Sequence, residues 1–392
     1  MKFHYSQLLL LLSLSTQSLA QDFSQPITVT TAKPGVFHHF ESSGRTSIAV
    51  ANETVGIVWE DNRSGTPQIY VAFKHKTAQT FSAPVQISPT GPAYEPAITS
   101  INNSFIIGWE ARDQIWLRTV SPAHLGKVIP LSPGVARQIT FASTSQNHAI
   151  AAWSEHDAKS YHIRIAELTL KNDALMVNNN RPVDTSANRK EQLYPSVAIT
   201  RQGTVVGWED RRQGATRIFT AFAPTGKAFE PYQLLNDFRY SRIRKFGSGT
   251  GAMRVVLRSD QKSRVMAVWL DKRDFEQGYD VYSAYSDNGG RTFGKDQKVQ
   301  DPLGDNTPQW HPAVAMSPDG KIVAAWDDTR DGTPDIWFSV HEDHQWSDDE
   351  TWPGSAGVGS QTLPALLFAE NKLHVAWLVR HNNLSSILYS QQ

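Results

Sequence analysis

Apolar residues in this chain come in short runs broken by charged or glycine-bearing turns, and in each round of the pattern one run ends on a tryptophan. The tryptophans are Trp59, Trp109, Trp153, Trp208, Trp269, Trp326 and Trp377, spaced at roughly 40–60 residues. Each round reads as four short strands. The first often carries a proline at its start, as in Pro96-Ala97-Ile98, Pro195-Ser196-Val197, Pro312-Ala313-Val314 and Pro364-Ala365-Leu366. The second runs into the tryptophan, as in Val55-Gly56-Ile57-Val58-Trp59. After a charged turn comes a β-branched and aromatic strand such as Ile69-Tyr70-Val71-Ala72 or Ile336-Trp337-Phe338-Ser339, and then a fourth, such as Pro84-Val85-Gln86-Ile87. This composition and spacing predict antiparallel strands joined by hairpins. A repeat of that length built from four strands predicts one blade of a β-propeller, and seven repeats predict seven blades.

The last round stops short. After Ile387-Leu388-Tyr389 the chain reaches Gln392 with no fourth strand. Phe23-Ser24-Gln25-Pro26-Ile27-Thr28-Val29 matches the fourth strand of the first full round, Phe81-Ser82-Ala83-Pro84-Val85-Gln86-Ile87. The N-terminal segment is therefore expected to complete the last blade and close the ring, which removes the exposed edges of an open row of sheets. The third round, around Trp153, is the weakest, with Ser154-Glu155-His156 in place of the usual turn. The polar stretch 178–191 and the insertion 237–245 read as surface loops, because the repeat resumes in step after each.

Residues 1–20 have the form of a signal peptide: Lys2, an apolar stretch from Leu8 to Leu14, and Ser18-Leu19-Ala20 before Gln21. The expectation is a single propeller domain over residues 21–392, exported to the periplasm or the medium. The apolar stretch is too short to span a bilayer. The chain has no cysteine, which excludes thiol nucleophiles, thiolate metal sites and disulfide staples. A formal net charge of +0 gives no reason to expect nucleic acid or an anionic membrane as partner. No cofactor is called for, and no metal: His38-His39 with His311 is too sparse a set of ligands. The protein is expected to be a monomer.

One turn is more specific. Ser286-Asp287-Asn288-Gly289-Gly290-Arg291-Thr292-Phe293 resembles the Asp-box of bacterial-neuraminidase repeats, Ser-x-Asp-x-Gly-x-Thr-Trp, with weaker echoes at Thr80-Phe81, Gly226-Lys227-Ala228-Phe229 and Gln345-Trp346. With its repeats, the chain is similar to the sialidase-like β-propeller superfamily. The resemblance implies that such boxes are structural and lie opposite the active-site face. Sialidases themselves have six blades, a Phe/Tyr-Arg-Ile-Pro motif, three arginines on the substrate carboxylate, a Tyr–Glu nucleophile and an aspartate acid/base. That motif is absent here, seven repeats are counted, and no catalytic residue carries over.

The charged turns repeat as Trp-x-Asp-x-Arg, with Asp61 and Arg63, Asp210 and Arg212, Asp271 and Arg273, Asp328 and Arg330. Catalysis needs different groups converging on one atom, so near-copies in four blades read as scaffold pairs. The better candidates do not repeat: His39, Glu41, Arg45, Tyr94, Glu95, Arg137, Glu191, Tyr194, Arg244, Trp310, His311 and Arg380, with Glu155 and His156 beside them. Tyr94, Tyr194 and Trp310 are assigned equivalent places just ahead of the inner strand. Aromatic rings there suit sugar faces or partner side chains, with Glu and Arg supplying hydrogen bonds, or they plug the channel. The resulting expectation is a non-catalytic exported propeller binding a glycan or an extracytoplasmic protein on its top face. The alternative is an exo-acting glycoside hydrolase using the non-repeating Glu, Tyr and Arg residues.

Overall fold

A computed structural model describes residues 23–392, except 32, 41–43, 145–146, 158, 187–189, 237–250 and 274–277. Residues 1–22, on which the expected leader falls, lie outside the described residues, as do Glu41, Arg244 and the expected loop 237–245. The strands form seven antiparallel sheets, five of four strands and two that carry an additional short strand. Within a sheet the strands pair in chain order from the inside outward; the second blade, for example, is Tyr94–Ile101, Ser104–Ala111, Gln114–Ser121 and His124–Pro130. The protein is a seven-bladed β-propeller.

The last blade is composite. Ile27–Thr30 pairs with Leu384–Gln391, placing Ile27 opposite Tyr389, Thr28 opposite Leu388 and Thr30 opposite Ile387. Ser24 adds a backbone bond to the Gln391 carbonyl at 2.9 Å. The ring is thus closed by the amino-terminal strand, as the match between residues 23–29 and 81–87 predicts.

The core is divided among seven clusters, each between two neighbouring blades. Each cluster holds one of the repeated tryptophans, and each tryptophan faces the blade before its own: Trp59 packs with Leu363, Ile387 and Val29 of the last blade, and Trp109 with Ile69 and Val71 of the first. All seven are at most 1% exposed. An indole covers enough area to fill a wedge between twisted sheets, which is why one recurs in every round.

Because strands alternate in direction, the start of each inner strand and the turn after each tryptophan lie on one face, here called the top. The 286–293 turn, between the third and fourth strands of the fifth blade, lies on the other. There Asn288 Oδ1 accepts from the Thr292 amide at 3.0 Å, and Ser286 Oγ accepts from the Gly290 amide at 3.0 Å. Gly290 has φ +87°, and a Cβ on it would sit 2.7 Å from Val205 Cγ1, so no other residue fits.

Two expectations need correction. Residues 178–182 are not loop: they end the outer strand of the third blade, Ala174–Pro182. An outermost strand has one face in water, so its polar run is compatible with a sheet edge. The inner strands also begin before their prolines, at Tyr94, Gln192, Trp310 and Ser360, and each contains an irregularity that alters which residues are equivalent.

Candidate functional site

In blades two to seven the inner strand carries a β-bulge near its top, at Glu95, Gln138, Tyr194, Arg254, His311 and Leu363. All six have φ between +49° and +63°. A left-handed conformation costs a non-glycine residue about 1–2 kcal/mol, so its recurrence in six blades marks a designed feature. Neither the bulged residue nor the next one pairs with the second strand. The missing proline N–H therefore costs nothing in Glu95-Pro96, Tyr194-Pro195, His311-Pro312 and Leu363-Pro364. Tyr194 thus aligns with Glu95 and His311, while Tyr94 and Trp310 align with Leu193; the three aromatics are not equivalent, as their place beside proline had suggested.

The bulges are held from the neighbouring blade. The residue after the tryptophan in the preceding blade accepts the bulge amide: Glu60 from Glu95 at 3.0 Å, Glu110 from Gln138 at 2.6 Å, Glu209 from Arg254 at 2.8 Å, and Asp327 from Leu363 at 3.0 Å. In the third blade Ser154 is too short, and it donates instead to Gln138 Oε1 at 2.8 Å, which accepts the Tyr194 amide at 2.9 Å. Burial raises the pKa of Glu60 and Glu110, and it pushes Glu209 up to about 7. These carboxyls repeat from blade to blade, and one oxygen of each accepts a backbone amide. The side chain that varies is the bulged residue itself, which a bulge re-aims away from the sheet.

In the first blade the inner strand is split. His38–His39 pairs with Asp61 and Glu60, Ile48–Ala51 resumes the sheet, and residues 44–47 cross the channel between them. The Gly44 carbonyl accepts from Thr140 Oγ1 at 2.6 Å in the third blade, and a Cβ on Gly44 would lie 3.2 Å from the Val255 carbonyl oxygen in the fifth. The Ile98 amide of the second blade donates to the Thr46 carbonyl at 2.7 Å. This segment places the buried Arg45 against Glu95, with Nη2 3.5 Å from Glu110, while His39 Nε2 lies 3.3 Å from Glu95. His38 is buried against Ser385, with Nδ1 2.7 Å from its hydroxyl, and burial lowers its pKa to about 4.

On the other half of the top face the described residues leave a pocket. A cavity of about 450 Å³ lies elsewhere, in the lower channel; the top-face pocket between the fourth, fifth and sixth blades has about 430 Å³. Glu191, Tyr194, Glu209, Arg211, Arg254, Trp310 and His311 line it. The Arg254 guanidinium sits 4.2 Å from the Tyr194 ring centroid. Trp310 is 41% exposed and leans on Tyr279 at 5.3 Å. His311 Nδ1 is 2.8 Å from Asp327 Oδ1, which fixes the imidazole. Glu191 accepts from the Tyr161 amide at 3.1 Å. A second top-face depression, around Glu155, His156, Asp157 and His162, is lined by groups already paired with one another, such as Arg164 with Glu155 at 3.2 Å.

Of the sequence candidates, Glu191, Tyr194, Trp310 and His311 thus share one pocket, and His39, Arg45 and Glu95 form a separate ion-paired cluster. Tyr94 is exposed on the rim. Arg137 is exposed and lies 3.4 Å from Asp113. Arg380 is exposed at the end of its strand, opposite Ser360 and Ser385. Arg254, Gln138 and the residues after the tryptophans were missed. Ile139 and Val255 stand where the other inner strands carry proline, so the proline signal does not reach the first two.

The charged turns share one geometry. Asp61 accepts from the Trp59 indole at 2.8 Å and from the Arg63 amide at 3.0 Å, and Arg63 closes on the same carboxylate. Asp210, Asp271 and Asp328 take the indoles of Trp208, Trp269 and Trp326 at 3.4, 3.2 and 3.1 Å. Each arginine also lies on the aromatic ring opposite the tryptophan: Arg63 on Tyr70, Arg212 on Phe219, Arg273 on Tyr282 and Arg330 on Trp337. Second acids hold three of them: Asp184, Asp296 and Asp349.

No protein-family model and no curated protein matches the chain. Among solved structures, it is similar to the polysaccharide lyase Uly1, with TM-score 0.60 and 8% identity over 94% of this chain and 99% of that one. It is also similar to the α-L-arabinofuranosidase Arb93A of Fusarium graminearum, with TM-score 0.52 and 10% identity over 94% and 97%. The NanB sialidase of Streptococcus pneumoniae matches more loosely, at TM-score 0.46 and 9% identity over 90% and 69%, and adds nothing to that. At such identities the likeness is one of fold alone, that of a β-propeller.

Proposed function

We propose that this protein is exported after removal of residues 1–20 and that residues 21–392, one domain and a monomer, bind a glycan in the top-face pocket of blades four to six. The observation that carries the reading is the convergence of Tyr194, Arg254, Trp310, His311 and Glu191 on one cavity of about 430 Å³. An exposed indole offers an apolar face to a sugar ring, and guanidinium and carboxylate groups meet hydroxyls or an acidic substituent. Four of these five sit at or beside bulges, where the scaffold presents a different side chain in each blade. The similar folds of an arabinofuranosidase and a polysaccharide lyase point the same way.

The second reading, an exo-acting glycoside hydrolase, is favoured by the same pocket. It holds a Glu, a Tyr and two arginines together, with His311 oriented by Asp327 as a general base requires. A glycan array run with a panel of chromogenic glycosides separates the two. Binding without release, weakened roughly tenfold by Trp310→Ala and by Arg254→Ala, supports the first reading. Sugar release abolished by Tyr194→Phe replaces it with the second. Binding that survives both substitutions refutes the site.

A further inference from the structure

The lower half of the central channel forms a cavity of about 450 Å³ on the face away from the pocket above, closed at its upper end by residues 44–47. The inner strands of all seven blades line it, and the lining is apolar, hydroxyl or amide except for two charged residues. One, Glu370, is exposed. The other, Arg258, belongs to the inner strand of the fifth blade and reaches both this cavity and the small void above it.

The arginines of the charged turns are compensated. Arg63, Arg212, Arg273 and Arg330 each close on at least one carboxylate. Arg258 has no ion pair among the described residues; its one hydrogen bond is Nη1 to its neighbour's carbonyl, Leu257, at 2.8 Å. Burial alone acts on it and lowers its pKa to about 10, so it is charged at neutral pH. Arg258 is half-buried where it lines the cavity, and a guanidinium presents five donors that suit an anion where water is restricted. A second group in the same place lacks a partner. Thr46 Oγ1 is buried with no hydrogen-bond partner, and Thr46 lines the same cavity and the same void as Arg258.

We propose that the channel holds a small inorganic anion, bound by the Arg258 guanidinium with the Thr46 hydroxyl as a further donor. The ion supplies the missing counter-charge and ties the fifth blade to the segment that crosses the channel. It is independent of the glycan reading, which concerns the opposite face. A ligand that binds only the folded state raises the melting temperature in proportion to its occupancy.

The test uses the full-length mature protein at constant ionic strength, exchanging gluconate for chloride, bromide or sulfate. A saturable rise in Tm with at least one of these anions, absent from Arg258→Met and requiring more anion in Thr46→Val, is expected. Crystals grown in bromide should show an anomalous peak within hydrogen-bonding distance of the guanidinium, a readout that does not depend on either variant folding. Equal salt responses in parent and Arg258→Met, or a channel holding only water in the bromide crystals, would overturn the proposal.

Discussion

Glu209 shows how one residue type serves two ends. Its position after Trp208 is occupied by acids in three other blades, and its oxygen is committed to the Arg254 amide, so its raised pKa follows from architecture. The consequence is still measurable. The folded-state value of about 7 lies above the ordinary 4.5, so the folded protein holds the proton more tightly across that window. Stability from this group is fully present below pH 4.5 and is lost as pH rises through 7. Glu209→Gln keeps the acceptor and cannot ionise. Its Tm should match the parent near pH 5 and exceed it increasingly toward pH 8; a constant difference across that range would show that the carboxyl is ionised in the fold. The aspartates of the Trp-x-Asp-x-Arg turns were legible because they recur; their second acids, Asp184, Asp296 and Asp349, were not, since they come from separate loops.

At the scale of the element, the bulge is the device that matters. In blades two to seven it sets one residue per blade out of register, and in five of the six a neighbouring blade accepts its amide. Tyr94, Glu95, Tyr194, Trp310 and His311 were found in the sequence because a proline follows nearby. Gln138 and Arg254 were not, because Ile139 and Val255 stand where the prolines would be. The left-handed conformation makes a distinctive prediction. With the side chain removed, Arg254→Gly should be more stable than Arg254→Ala by about 1 kcal/mol, the reverse of the usual order in strands. Urea midpoints of the two variants decide it, and an alanine variant equal to or above the glycine one would mean the strand relaxes out of the bulge.

For the whole molecule the seam between the last and first blades is where the ring depends on distant parts of the chain. Ile27–Thr30, Trp59, Ile387 and Tyr389 share one cluster, and Arg63 reaches from the first blade to Thr30 at 2.9 Å. Deleting residues 21–31 exposes the edge of Leu384–Gln391 and uncovers that cluster. An unpaired, apolar edge recruits other chains, so the truncated protein should elute as oligomers or aggregate and melt well below the parent. A monomer with an unchanged Tm would show that the last blade stands on three strands alone.

Periodicity in the sequence determined the seven blades, the wedge tryptophans, the scaffold pairs and the closing strand, because each is a local pattern repeated with its neighbours in fixed register. Only the tertiary structure decided which non-repeating residues meet. Tyr194, Arg254 and His311 belong to three successive blades, and the distance between their side chains depends on the curvature of the ring and the direction each bulge imposes. Neither quantity is written in local residue order. The same holds for Arg258, an ordinary strand residue in the sequence that closure of seven sheets leaves lining a channel, with no ion pair among the described residues.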